Sequence, residues 1–173
     1  MKYQVVIYAT ISLMLTFGCY KRKSSYYTTV AAYTSTNEAA AGAKATLDDF
    51  VRVFHAREPG TKDFCVKKTY IGGSGGEEHC WIRITGEQSG VFQGVVNSHT
   101  EHTQGEVKLG QEVSVKKNDI SDWKYKDGNK LIGGYTLRYY IDNMPPQERA
   151  ILLKKVGFEA YGVRHPNQEH LEK

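Results

Sequence analysis

The sequence predicts an α+β fold: an N-terminal amphipathic helix, an antiparallel sheet of about five to six strands, and a short C-terminal helix. Three observations lead there. Apolar residues recur at helical spacing between Leu47 and Phe54. From Phe64 to Ile141, short alternating segments follow one another between Gly-rich turns. A Pro145-Pro146 pair then opens a last helical stretch. Composition agrees, because 12 tyrosines and 17 glycines in 173 residues favour strands and tight turns over a helical bundle. With 40% hydrophobic and 24% charged residues, the chain can bury one core.

Each element has a local reason. Asn37 is suited to cap the first helix, and Ala39 to Ala45 supplies good helix formers. Leu47, Phe50, Val51 and Phe54 fall at i, i+3, i+4 and i+7 and form one stripe, with Asp48, Asp49 and Arg52 off it. Pro59-Gly60 stops the helix. Strands are expected at Phe64 to Tyr70, His79 to Thr85, Val91 to Asn97, Glu112 to Lys117, and Trp123 to Lys126. A long last strand is expected from Lys130 to Ile141, after an Asp127-Gly128 hairpin turn. In that strand Leu131, Tyr135, Leu137, Tyr139 and Ile141 would share the buried face, opposite Thr136, Arg138 and Tyr140. Gly133-Gly134 within it suggests a bulge or a close backbone approach. The final helix begins at Pro146, with Glu148 near its positive end and Lys154-Lys155 near its negative end.

The ends carry a different signal. Lys2 precedes an apolar stretch from Val5 to Leu15, too short for a comfortable membrane span and suited to a signal-peptide core. Gly18-Cys19 resembles the processing site of bacterial lipoproteins, although Thr16 stands where that pattern prefers Leu. The resemblance implies lipidation of Cys19, with an uncleaved anchor or ordinary secretion as the alternatives. Tyr20 after the cysteine points to the outer membrane in a Gram-negative host. The expected organisation is therefore a signal peptide (1–18), a flexible tether (19–36), a single α+β domain (37–160) and a polar tail (161–173). The formal charge of +4 falls only to +3 without the first 18 residues. No basic stripe of the kind that binds nucleic acid is present; the densest run, Lys21-Arg22-Lys23, sits where it would meet lipid headgroups or solvent.

Export places Cys65 and Cys80 in an oxidising compartment. They fall on neighbouring strands around a Gly-rich turn, so a disulfide is one reading and two free thiols the other. Strand phase puts Cys80 with Ile82 and Ile84 on the core side and Cys65 on the other.

Several motifs agree in order and spacing with one family. They are Phe64-x-Val66-Lys67, Glu78-His79-x-Trp81, Gly94-x-Val96-Asn97, Gly110-x-x-Val113-x-Val115, Ile120-Ser121-Asp122-Trp123-x-Tyr125 and Gly133-Gly134-Tyr135-Thr136-x-Arg138. Over about residues 40 to 150 the chain resembles the bacterial family known as domain of unknown function 2314, which includes the YegJ-like proteins. Cys65 and Cys80 depart from the family pattern. The resemblance implies membership and carries no catalytic residue.

The candidate binding face comprises Glu78, His79, Trp81, Arg83, Asp122, Trp123, Thr136 and Arg138. Aromatics offer stacking, Arg grips anions, and a carboxylate can orient His. The competing reading makes the tryptophans core and Asp122 a turn cap. His99-Thr100-Glu101-His102 with Glu106 lacks the fixed spacing of a helical zinc motif and reads as a surface loop, so no metal is assigned. Gly72-Gly73-Ser74-Gly75-Gly76 leads into a strand without a P-loop ending and reads as a hairpin loop. No cofactor motif occurs. The leading expectation is an envelope lipoprotein whose domain binds a protein or small-molecule partner through this face. One alternative is a small periplasmic hydrolase using His79 with Glu78 or Asp122; another is a structural or immunity-like envelope protein.

Overall fold

The computed structural model describes residues 33–71, 76–100, 107–156 and 160–162. The expected signal segment, Cys19, most of the expected tether, residues 72–75, His102, Glu106 and nearly all of the expected polar tail lie outside the described residues. Two helices, α1 (Thr36–Ala45) and α2 (Leu47–Ala56), precede strands β1 (Thr61–Ile71), β2 (Glu77–Gln88), β3 (Val91–Val96) and β4 (Glu112–Lys116). A single 3-10 turn leads into β5 (Ile120–Asp127) and β6 (Lys130–Gly133). Helices α3 (Tyr135–Asp142) and α4 (Pro146–Val156) and a short β7 (Ala160–Gly162) follow. The sheet order is β4-β3-β2-β1-β5-β6-β7. Strands β1 to β6 pair antiparallel, as the alternation predicts, and β7 pairs parallel with β6.

The first helix differs from expectation in two ways. Ser35, not Asn37, caps it: its hydroxyl accepts the Glu38 N–H at 3.2 Å. The Glu38 carboxylate in turn accepts the Thr34 N–H at 2.8 Å, so the first turn is closed from both sides. The helix also breaks at Thr46, whose hydroxyl turns back to the Gly42 carbonyl at 3.0 Å and meets the Tyr135 hydroxyl at 2.6 Å. A side chain that bonds carbonyls of its own helix while docked to another element competes with the regular ladder.

Both helices cover one face of the sheet. Ala39, Ala43, Leu47, Phe50 and Val53 pack on Val66, Ile82, Phe92, Val115, Trp123, Tyr125 and Ile132. Phe50 is the centre, with its ring 5.3 Å from that of Trp123 and 5.8 Å from that of Phe64. Full burial of a side chain this size contributes roughly 1.5–3 kcal/mol.

The expected strand over Lys130 to Ile141 is the largest correction. The strand stops at Gly133 and the chain becomes α3. Gly133 (φ +71°) and Gly134 (φ +66°) both take the left-handed conformation that glycine tolerates. A Cβ on Gly133 would collide with the Trp123 ring and carbonyl, so the close approach is real but ends the strand instead of bulging it. In the helix, Tyr135 and Ile141 are buried and Tyr140 is exposed as expected, but Thr136 and Arg138 are buried too, and Leu137 and Tyr139 are only half-buried. The hairpin before it forms as expected, with Asp127 facing Lys130 and the turn itself at Gly128-Asn129.

Candidate functional site

Pairing fixes what stands on the face that α1 and α2 leave uncovered. Cys65 faces Arg83 on β2 and Lys124 on β5; Lys67 faces Trp81 and Asp122; Thr69 faces His79. Two rows thus cross β2, β1 and β5 on one side and a third crosses β2 and β1, while Val66, Ile82 and Trp123 alternate to the other.

The first part of the site is a buried anchor. Asp122 is 0% exposed, and its carboxylate accepts four hydrogen bonds. They come from the Trp123 N–H (2.8 Å), the Tyr135 N–H (3.1 Å), the Thr136 N–H (2.9 Å) and the Thr136 hydroxyl (2.6 Å). Two of the donors are backbone groups at the start of α3, which have no partner within the helix. Asp122 therefore caps α3 from a neighbouring strand. Burial pushes its carboxyl above the usual range, and these hydrogen bonds oppose the shift. The Thr136 hydroxyl also accepts from Lys67 Nζ at 3.0 Å, so carboxylate, hydroxyl and ammonium form a buried chain. Arg138, 3% exposed, lies with its guanidinium 5.1 Å from the Tyr135 ring centre.

The second part is open. Trp81 is half-buried, with Lys124 Nζ 4.1 Å and Lys67 Nζ 5.7 Å from its ring centre. Both are cation–π distances. Burial lowers the pKa of both ammonium groups. Among the described residues no carboxylate lies within ion-pair distance of Lys124 or of the exposed Arg83. His79 is exposed; its Nδ1 lies 2.9 Å from the Thr69 hydroxyl, and burial, then Lys67, lowers its pKa.

The expected residues therefore separate into groups. His79, Trp81 and Arg83 share the open face as predicted. Asp122, Thr136 and Arg138 lie inside, under α3. Trp123 belongs to the helix-covered core at 1% exposure, where its indole N–H donates to the Ala43 carbonyl at 2.9 Å. Glu78 alternates to the face opposite His79. The disulfide reading is corrected: Cys65 and Cys80 are free and buried. Cys80 faces Lys68, three positions along from the Cys65–Arg83 pair, so the two thiols sit on opposite faces. The residues missed are Lys67 and Lys124. Their signal is present, since each is in phase with an outward neighbour (Cys65 and Asp122), but it becomes a site only once β1 is known to lie between β2 and β5.

As chemistry, this arrangement can hold negative charge against cations and an indole. Within it the ring hydrogen bond of His79 goes to a hydroxyl, and Asp122 is committed to α3. The cavity of about 390 Å³ along Gly86–Gln93 lies elsewhere, and its Glu87 is bonded to His55 (2.5 Å) and the Gly90 N–H. His99 is exposed. Among the described residues no group of three His, Cys, Asp or Glu side chains is placed to hold a metal ion, and no helix is long and apolar enough to cross a membrane.

Comparison with known proteins adds kinship. The family model described as an uncharacterized protein conserved in bacteria (DUF2314) matches residues 34–160. The chain is similar to uncharacterized protein YegJ of Escherichia coli (strain K12), 35% identical over 114 residues that span 66% of this chain and 72% of that protein. No solved structure matches it.

Proposed function

This chain belongs to the DUF2314 family of uncharacterised bacterial proteins, and from that membership and the geometry of its open face we propose that it is a non-enzymatic binding module. The domain captures a negatively charged partner or ligand on Trp81, Lys124, Lys67 and Arg83. One observation carries the reading: the Lys124 ammonium stands 4.1 Å from the centre of a half-buried indole, with no carboxylate paired to it among the described residues. Holding a cation partly out of water costs free energy that a bound anion offsets. The module is held at the cell envelope by lipid on Cys19; the apolar run after Lys2 and the Gly18-Cys19 pair support this. Fixing the domain at a membrane raises its effective concentration toward partners there.

The test is a titration of the full chain with polyglutamate, followed through the two indole N–H resonances. The Trp81 signal should move and saturate while that of Trp123 stays fixed. The movement should shrink at high salt and vanish in Lys124→Met. No movement of either signal, or movement of Trp123 alone, overturns the reading. The anchor is tested apart: Cys19→Ala should leave the membrane fraction and lose the mass of the acyl chains, and an unchanged fraction and mass would refute it.

A further inference from the structure

The open face also bears on which anion it takes. Arg83, Cys65 and Lys124 stand in one row across three adjacent strands. At ~4.8 Å between strands, the two cationic residues start roughly 10 Å apart. Between them is the small Cys65 side chain. Both cations act on its thiol: burial raises the Cys65 pKa, and Lys124 and Arg83 each pull it back down. The Lys124 side chain crosses above β1 to place its Nζ 4.1 Å from the Trp81 ring centre, on the strand that carries Arg83 two residues along, so the two cations flank the space above the sulfur. The next row, Trp81 and Lys67, borders this space on one side.

The charges of the two rows do not balance. Arg83, Lys67 and Lys124 are cationic, and Asp122 is the single carboxylate. Its oxygens are occupied by Trp123, Tyr135 and Thr136 and face α3. Asp122 is the leading charge that holds the Lys67 pKa up against burial, whereas for Lys124 it comes behind Cys65. Asp63, whose charge also reaches Cys65 and Lys124, is paired with Lys126 at 3.4 Å, so the surplus stays at two positive charges.

We propose that the basic patch above Cys65 binds a tetrahedral dianion, of phosphate or sulfate chemistry, between Lys124 and Arg83, with Lys67 and Trp81 at its border. This inference rests on the binding reading above and names its ligand class. A carboxylate neutralises one charge and offers two oxygens in a plane. A tetrahedral dianion neutralises both and presents oxygens to a guanidinium fork and to ammonium groups arriving from different strands. Asp122 acts as a positioning residue, because the Thr136 hydroxyl that donates to it accepts from Lys67 and so fixes that ammonium beside the indole.

The experiment is calorimetric titration of the full chain with sodium phosphate, sulfate and acetate at matched ionic strength and about pH 8, where phosphate is dianionic. Phosphate or sulfate should bind at one site at least ~10-fold tighter than acetate, a factor equivalent to about 1.4 kcal/mol. A preference for phosphate assigns phosphoryl chemistry, and a preference for sulfate assigns sulfuryl chemistry. Lys124→Met and Arg83→Gln should each weaken the tighter ligand ~10-fold or more. Arg83 is exposed, so its variant keeps the fold and serves if Lys124→Met does not. Acetate binding as tightly as either dianion, or Arg83→Gln leaving affinity unchanged, overturns the proposal. If neither dianion binds while polyglutamate still moves the Trp81 signal, the ligand class is wrong and the binding reading stands. If nothing binds, both fall.

Discussion

The two faces of this sheet are built from the same strands, often from adjacent residues, yet they obey different rules. Ile82 and Trp81, Val66 and Lys67, and Trp123 and Lys124 alternate across one backbone. On the helix side Val66, Ile82 and Trp123 are apolar and dry, and the gain comes from contact area. On the other side the strands hold lysines beside an indole, at a desolvation cost that the fold alone does not need. A protein selected only for stability would not keep them there, which is why the open face, and not the aromatic-rich one, is the place to look for function.

The largest effect that sharpens the contrast is Phe50→Ala, at a position packed against five other rings. It should cost about 3–5 kcal/mol by urea unfolding. Trp81→Ala, an equally aromatic change on the half-open face, should cost about 1 kcal/mol and abolish anion binding. Equal losses would mean the two faces share one role.

Asp122→Ala tests the place where the contrast is weakest, since this residue stands in the open rows but is sealed under α3. Removing it leaves four donors without their acceptor. The loss should be about 3 kcal/mol, read as a fall in the urea midpoint, together with weaker amide protection at Tyr135 and Thr136.

A third, smaller effect is in pH. Burial lowers the Lys67 and Lys124 pKa values below the ordinary 10.5. Between the lowered values and 10.5 the unfolded chain holds protons that the folded chain has released, so stability rises with pH there. Tyr135 acts in the opposite sense. Burial pushes its pKa from 10.0 up to about 12, so between these values the folded chain keeps a proton the unfolded chain loses, and stability falls. Lys67→Met with Lys124→Met should flatten the rise and leave the fall, whereas Tyr135→Phe should reduce the fall without changing the rise, the remainder coming from Tyr33, Cys65 and Cys80, whose pKa values burial also raises. Unfolding curves across this alkaline range decide it.

The smallest effect is on His79. Burial lowers its pKa first and Lys67 second, so Lys67→Met should return it only part of the way upward in an NMR titration. A full return to an ordinary histidine value would mean that charge, not burial, governs this corner of the face.

Much of this was legible in the residues. The alternation of Cys80, Ile82 and Ile84 against His79, Trp81 and Arg83 placed β2 and its two faces correctly, because a strand with one dry side leaves a period of two. The same period misled at Tyr135 to Ile141. Seven residues are too few to distinguish alternation from a helix in which Tyr135 and Arg138 share a face. What decides the matter is distant: the left-handed pair Gly133-Gly134 turning against Trp123, and a carboxylate offered by β5. Lys67 and Lys124 escaped for a related reason, because neither is unusual alone and only the β2-β1-β5 order makes them neighbours. Cys65 and Cys80 look paired when the intervening turn is counted and unpaired once the true register is known.

The cap that Asp122 gives to α3 has a consequence for how the chain assembles. Eight residues are fewer than the roughly 12–15 at which an isolated helix becomes even marginal in water, so α3 does not nucleate on its own. Its first amide groups find an acceptor only after β5 has been laid down, and its entry turn is defined only once Gly133 lies against Trp123. The β5–β6 hairpin is therefore a template on which the helix depends. With that helix in place the Tyr135 hydroxyl meets Thr46, so one side-chain bond ties the C-terminal half of the domain to its first two helices.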